Sequence, residues 1–109
     1  MYQGTTPSIP ITFEGVNLLE AKVYLSVYDE RKKVLHTYES GRDFYINVNG
    51  SDSETMLSMS QEDTLSLGEG LCFIQGRWVF PDGVAGATQR AAIQIQSVLM
   101  KDVIEYGEN

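Results

Sequence analysis

The sequence predicts an all-β domain of about seven strands, arranged as a sandwich or barrel. Three observations predict it. Apolar and polar residues alternate with period two through most of the chain, the alternating runs are short, and turn-forming residues separate them at fairly regular spacing. No strand–helix–strand alternation is present, which argues against a parallel sheet. The 109 residues fit a single domain, 1–109, without internal repeat, linker or low-complexity tract.

The elements follow in order. Ile9, Ile11 and Phe13 alternate with polar or small neighbours, and Pro7 and Pro10 mark this first strand as an edge. Ala21, Val23, Leu25 and Val27 alternate with Lys22, Tyr24, Ser26 and Tyr28, the clearest half-buried pattern in the chain. A charged turn, Asp29 to Lys33, leads to a third strand, Val34 to Tyr38. Phe44, Ile46 and Val48 form a fourth apolar face. Asn49-Gly50 is a turn signal, and the Ser51-Asp52-Ser53 that follows predicts a longer hairpin loop. Thr55 to Met59 is a short fifth strand with Leu57 inward. Ser60 can cap one helical turn near 60–66, with Glu62 and Asp63 suited to its positive end. The sixth strand, Leu71 to Phe80, places Cys72, Ile74, Trp78 and Phe80 on one face with Gly76 among them. Pro81-Asp82-Gly83 is a tight turn, and a seventh strand runs from about Ala87 to Ser97. Val98 to Tyr106 fits either a continued strand or a short helix.

Composition narrows the function classes. A net charge of −7 argues against a phosphate-binding surface, because affinity for nucleic acid comes largely from Lys and Arg. One cysteine cannot form an internal disulfide. The opening residues, Met1 to Thr6, carry neither a basic start nor an apolar stretch, so no signal peptide is expected. No run approaches the ~20 apolar residues of a membrane helix.

A search for chemistry yields no catalytic constellation. Cys72 shares its predicted face with Ile74, Trp78 and Phe80, which suits a buried thiol better than a nucleophile. His36, the one histidine, lies in a strand, and a single His and Cys cannot make a zinc site without added ligands. Glu62-Asp63 and Asp52/Glu54 are carboxylate pairs in turns, with nothing to direct them at one cleft. Asn47 to Asp52 alternates oxygen ligands but lacks the acidic first ligand and terminal Glu of a calcium loop. No catalytic, metal or cofactor residues are therefore assigned, and no enzyme activity is expected.

Two features suit binding. Tyr24 and Tyr28 point away from the apolar stripe of their strand, where they either pack across strands or contact a partner. Leu99, Met100, Val103 and Ile104, with Val98, form an apolar C-terminal cluster that either closes the core or docks on another chain. The seventh strand has only Arg90 as a charge, which leaves it open to pairing with a copy of itself.

The order of several segments resembles small structural proteins of phages and prophages of Gram-positive bacteria. They are Gln3-Gly4-Thr5-Thr6-Pro7 with the strand Ile9 to Phe13, the strand Glu20 to Leu25, the turn Gln61-Glu62-Asp63-Thr64-Leu65, the segment Ile74 to Trp78, the Asp82-Gly83 turn and the final alternating strand. The layout is similar to the immunoglobulin-like N-terminal domain of phage baseplate upper proteins and covers nearly the whole chain. Antibody-type domains differ, since the paired cysteines are missing and Trp78 falls in the sixth strand. The resemblance implies an immunoglobulin-like β-sandwich and a noncatalytic tail or baseplate component. The expected partners are other phage structural proteins or a second copy, without nucleic acid or membrane. Its expected location is the bacterial host cytoplasm during assembly, with the virion as an onward destination. The alternative is a carbohydrate- or cell-surface-binding module using Tyr24, Tyr28 or Tyr45.

Overall fold

A computed structural model describes residues 1–31 and 33–106. Lys32, part of the predicted charged turn, lies outside the described residues. Among the described residues, eight strands and one short helix follow in the order β1 (Ser8–Phe13), β2 (Lys22–Asp29), β3 (Val34–Glu39), β4 (Asn47–Asn49), β5 (Asp52–Ser58), α1 (Gln61–Ser66), β6 (Gly70–Val79), β7 (Ala85–Ala87) and β8 (Ala91–Ile95). One sheet has the order β1-β5-β4. The other runs β3-β2-β6, with β7 and β8 both paired to β6. Every pairing between these strands is antiparallel. The two sheets form an all-β sandwich. Their strand orders correspond to the B-E-D and C′-C-F-G sheets of an immunoglobulin-type domain, with the connections after β1, β3 and β5 crossing between sheets.

The core lies between the sheets. Val23, Leu25 and Val27 of β2 are buried, as the period-two pattern predicts, and meet Phe13 of β1, Leu57 of β5 and Cys72, Ile74 and Ile95 of the larger sheet. Each fully buried aliphatic side chain of this kind contributes about 1.5–3 kcal/mol. The loop after β1 is fixed to β5 by the side chains of Asp52 and Ser53. Ser53 Oγ accepts from the Leu18 N–H at 2.8 Å and donates to the Val16 carbonyl at 2.7 Å, which seats Leu18 in the core.

Pro10 is tolerated in β1 for a directional reason. The Met59 N–H donates to the Pro7 carbonyl, so alternation along the strand turns the backbone groups of residues 8, 10 and 12 toward the free edge. The missing N–H of Pro10 therefore falls where no strand needs it.

Four elements differ from the sequence reading. The Asn49-Gly50 hairpin is tight: Asn49 pairs directly with Asp52, leaving the two-residue loop Gly50-Ser51, and Gly50 takes φ +64° at its first position. The fourth strand is shorter than expected. Phe44 is buried but belongs to a turn, in which the Gly41 N–H donates to its carbonyl, and Val48 is exposed. Phe80 lies beyond β6 and closes the Pro81–Gly83 turn through its N–H to the Val84 carbonyl at 2.8 Å.

The fourth difference is a break in the last strand. Arg77 pairs with Ala87 and Ile74 with Ala91, so Gln75 and Gly76 of β6 face Thr88, Gln89 and Arg90. This one-residue bulge divides the predicted seventh strand into β7 and β8. Thr88 bridges the gap: its N–H donates to the Gly76 carbonyl and its Oγ1 accepts from the Gly76 N–H at 2.9 Å. Gly76 is required at this point, because a Cβ there would stand 2.9 Å from Phe13 Cε1 and 3.3 Å from both Leu25 Cδ2 and Thr88 Cγ2.

The edge beside β8 is partly covered. Tyr2 and Gln96 form a parallel bridge. The Met1 nitrogen donates to the Gln94 carbonyl, the Gln96 N–H to the Met1 carbonyl and the Gln3 N–H to the Gln96 carbonyl. The expectation that this edge is open to a second copy is corrected over residues 94–96, where the chain's own first residues occupy it.

Candidate interaction surfaces

The groups with chemical potential are held in structural roles. Cys72 is buried, and burial, followed by the charges of Asp29 and Glu30, pushes its thiol pKa up. A thiol so held is a poor nucleophile. It backs a surface hollow of about 300 Å³ that His36 does not line. His36 Nε2 instead lies 2.6 Å from Ser66 Oγ. Asp63 accepts from the Tyr38 hydroxyl, Asp52 from the Gly15 N–H, and Glu54 from the Asn49 amide. Each of these carboxylates thus braces a turn or the helix. Among the described residues no group of three or more His, Cys, Asp or Glu side chains is placed to hold a metal ion.

Helix α1 is fixed at both ends. Ser60 Oγ accepts from the Asp63 N–H at 3.0 Å as the N-cap, as the sequence predicts, and the Leu67 N–H donates to the Thr64 carbonyl at the other end. This position sets the tail. The Gln61 side-chain amide donates to the Ile104 carbonyl at 2.8 Å and accepts from the Ile104 N–H at 2.7 Å, reproducing the pairing of a β-bridge. Val98 to Tyr106 form neither strand nor helix. Leu99 is fully exposed, and Met100, Val103 and Ile104 are each about half exposed. The tail is therefore anchored on the outside, and these side chains are not taken into the core.

The two outward tyrosines have different fates. Tyr28 is buried: it sits opposite Phe73, and the two rings stack with centroids 5.8 Å apart. Of the two roles open to Tyr28, cross-strand packing is the one the sheet shows, with Phe73 covering most of the ring. Tyr24 is half-buried and walls a hollow of about 390 Å³ with Ser26, Thr37, Arg77 and Val79. A second hollow of about 540 Å³ adjoins it, sharing Ser26 and Arg77 and adding Gln75, Val34 and Arg90. Tyr45 is exposed on the other sheet's side of the molecule, where its carbonyl accepts from Thr55 Oγ1.

Nothing in the sequence gives Arg77, Arg90 or Gln61 a binding or anchoring role, although Arg90 is the only charge of the last strand. Arg77 was legible in principle, since it has the outward parity of β6. Arg90 was not, because the bulge at Thr88 decides where it points: its guanidinium carbon lies 5.2 Å from the centre of the Phe73 ring. The chain matches no known family model, and no curated protein is significantly similar to it.

Proposed function

We propose that the chain is a noncatalytic structural or assembly module of a phage or prophage, tail or baseplate associated, that works through protein–protein contacts. The observation that carries this reading is the apolar tail. Leu99, Met100, Val103 and Ile104 are presented to solvent on a segment held in place by Gln61, and such exposed apolar side chains offer area for a partner to bury. The resemblance in segment order supports the phage context. No helix among the described residues is long and apolar enough to cross a membrane. Assembly in the host cytoplasm is part of the proposal.

The test is light scattering on the purified chain, alone and co-expressed with the product of each flanking gene. The expected result is a stable complex that is lost in Val103→Asp/Ile104→Asp while the fold is retained. A strictly monomeric mass with every flanking product would overturn the reading. A carbohydrate-binding module is the second reading, favoured by the hollow beside Tyr24 with its hydroxyl and guanidinium lining. A glycan array separates it from the first.

A further inference from the structure

The outer face of the larger sheet has a charge opposite to that of the chain. The chain holds 15 acidic and 8 basic residues. On this face the strands direct outward Lys22, Tyr24 and Ser26 from β2, Thr37 and Glu39 from β3, and Phe73, Gln75 and Arg77 from β6. The bulge adds Arg90 above Phe73. Three cations thus meet one carboxylate, Glu39. Arg42–Asp43 is the one salt bridge among the described residues, so Arg77 and Arg90 carry charge that no carboxylate there neutralises. Both arginines are exposed, and they flank the two adjoining hollows.

We infer that this face docks a protein partner through a carboxylate-bearing surface, with Arg77 and Arg90 as its cation anchors and Tyr24 and Gln75 between and beside them. Charge complementarity selects the partner. An acidic chain repels acidic surfaces overall, so a local cationic patch both attracts such a surface and fixes where it lands. Arginine suits the task because its planar fork pairs with carboxylates at two points, and arginine and tyrosine are enriched at the centres of protein interfaces. Ser26, Thr37 and Gln75 add neutral hydrogen-bonding groups.

This inference rests on the reading of the chain as a protein-binding module and names the chemistry of a partner. The tail variants test that reading, whereas arginine variants leave the tail intact, so either can fail alone. The experiment is a titration of the isotope-labelled full chain with poly-L-glutamate, followed by NMR. Shifts are expected at Tyr24, Ser26, Gln75, Arg77 and Arg90, and they should fade as salt shortens the screening length from ~30 Å at 0.01 M to ~8 Å at 0.15 M. Arg77→Glu/Arg90→Glu should weaken the apparent affinity by about tenfold or more. Arg77→Gln/Arg90→Gln decides the matter if the charge-reversed chain does not fold. Absence of shifts, or shifts confined to Arg31 and Lys33, would overturn the inference. So would binding of a sulfated polysaccharide to this face where poly-L-glutamate does not bind, or self-association through the same residues without added probe.

Discussion

The Tyr38 hydroxyl donates to Asp63 Oδ2 at 3.0 Å and so ties strand β3 to helix α1. Tyr38 is buried, and its hydroxyl pKa is pushed well above the ordinary range, first by burial and then by the hydrogen bond to Asp63 and the charges of Asp63 and Asp43. Tyr38→Phe is expected to cost about 1–2 kcal/mol at neutral pH, measured by denaturant unfolding. The pH dependence has a definite sign. A pKa raised in the fold means the native state keeps its proton, so this contribution is complete below the ordinary tyrosine value of ~10 and is lost as pH rises through the folded value. The gap between wild type and Tyr38→Phe should therefore narrow in strongly alkaline solution. A gap that widens there would contradict the contact.

Trp78 lies directly on Gly86. A Cβ at Gly86 would stand 2.5 Å from Trp78 Cζ2 and 2.6 Å from Cε2, and the indole is also held edge-on against Phe13 with ring centres 5.8 Å apart. Gly86→Ala should displace the ring and cost about 1–3 kcal/mol. Because Trp78 is the sole tryptophan, its emission reports the change directly, and a red shift is expected. An unchanged spectrum and midpoint would show that β7 does not carry the indole.

Cys72 should resist modification. Its thiol is buried in the core and its pKa is raised by that burial. Labelling by a thiol reagent at pH 8 is expected to be slower than in denaturant by on the order of 100-fold. Comparable rates in the two conditions would mean that this end of β6 opens readily.

Gln61 is the clamp on the tail. Gln61→Ala removes both hydrogen bonds to the Ile104 backbone and leaves the helix cap at Ser60 intact. Trypsin should then cut after Lys101 several-fold faster, and the Ile104 amide should exchange faster, with little change in the unfolding midpoint. Equal cleavage rates would assign the anchoring to the contact of Lys101 with Gln3 instead.

The fold was legible wherever one face of a strand is buried. Val23, Leu25 and Val27 declare their strand because solvent on one side and core on the other impose the alternation, and Ser60 declares its helix because a cap needs only a local hydroxyl. The features left open or unread depend on which segments become neighbours. Tyr28 looks outward in the sequence and is outward in the sheet, yet Phe73 of β6 covers it. The bulge at Thr88 exists only relative to Gly76, and nothing in residues 87–91 alone reveals it. The tail's exposure was one of two options left open by its apolar pattern, and the contact that decides it comes from Gln61, far away in sequence. Arg77 and Arg90 become a shared surface only once β6 and the bulge are set side by side.

The parallel pairing of residues 1–3 with residues 94–96 dictates an order of events. The Met1 nitrogen and its acceptor, the Gln94 carbonyl, are separated by 93 positions in the chain. During synthesis the first of these segments leaves the ribosome long before the second, and at 5–20 residues per second it waits roughly 5–20 s with its backbone groups paired to nothing but water. The larger sheet can close its edge only after β8 has emerged and zipped onto β6. Residues 1–3 are thus made before every strand of the sandwich and placed only after β8 is in position.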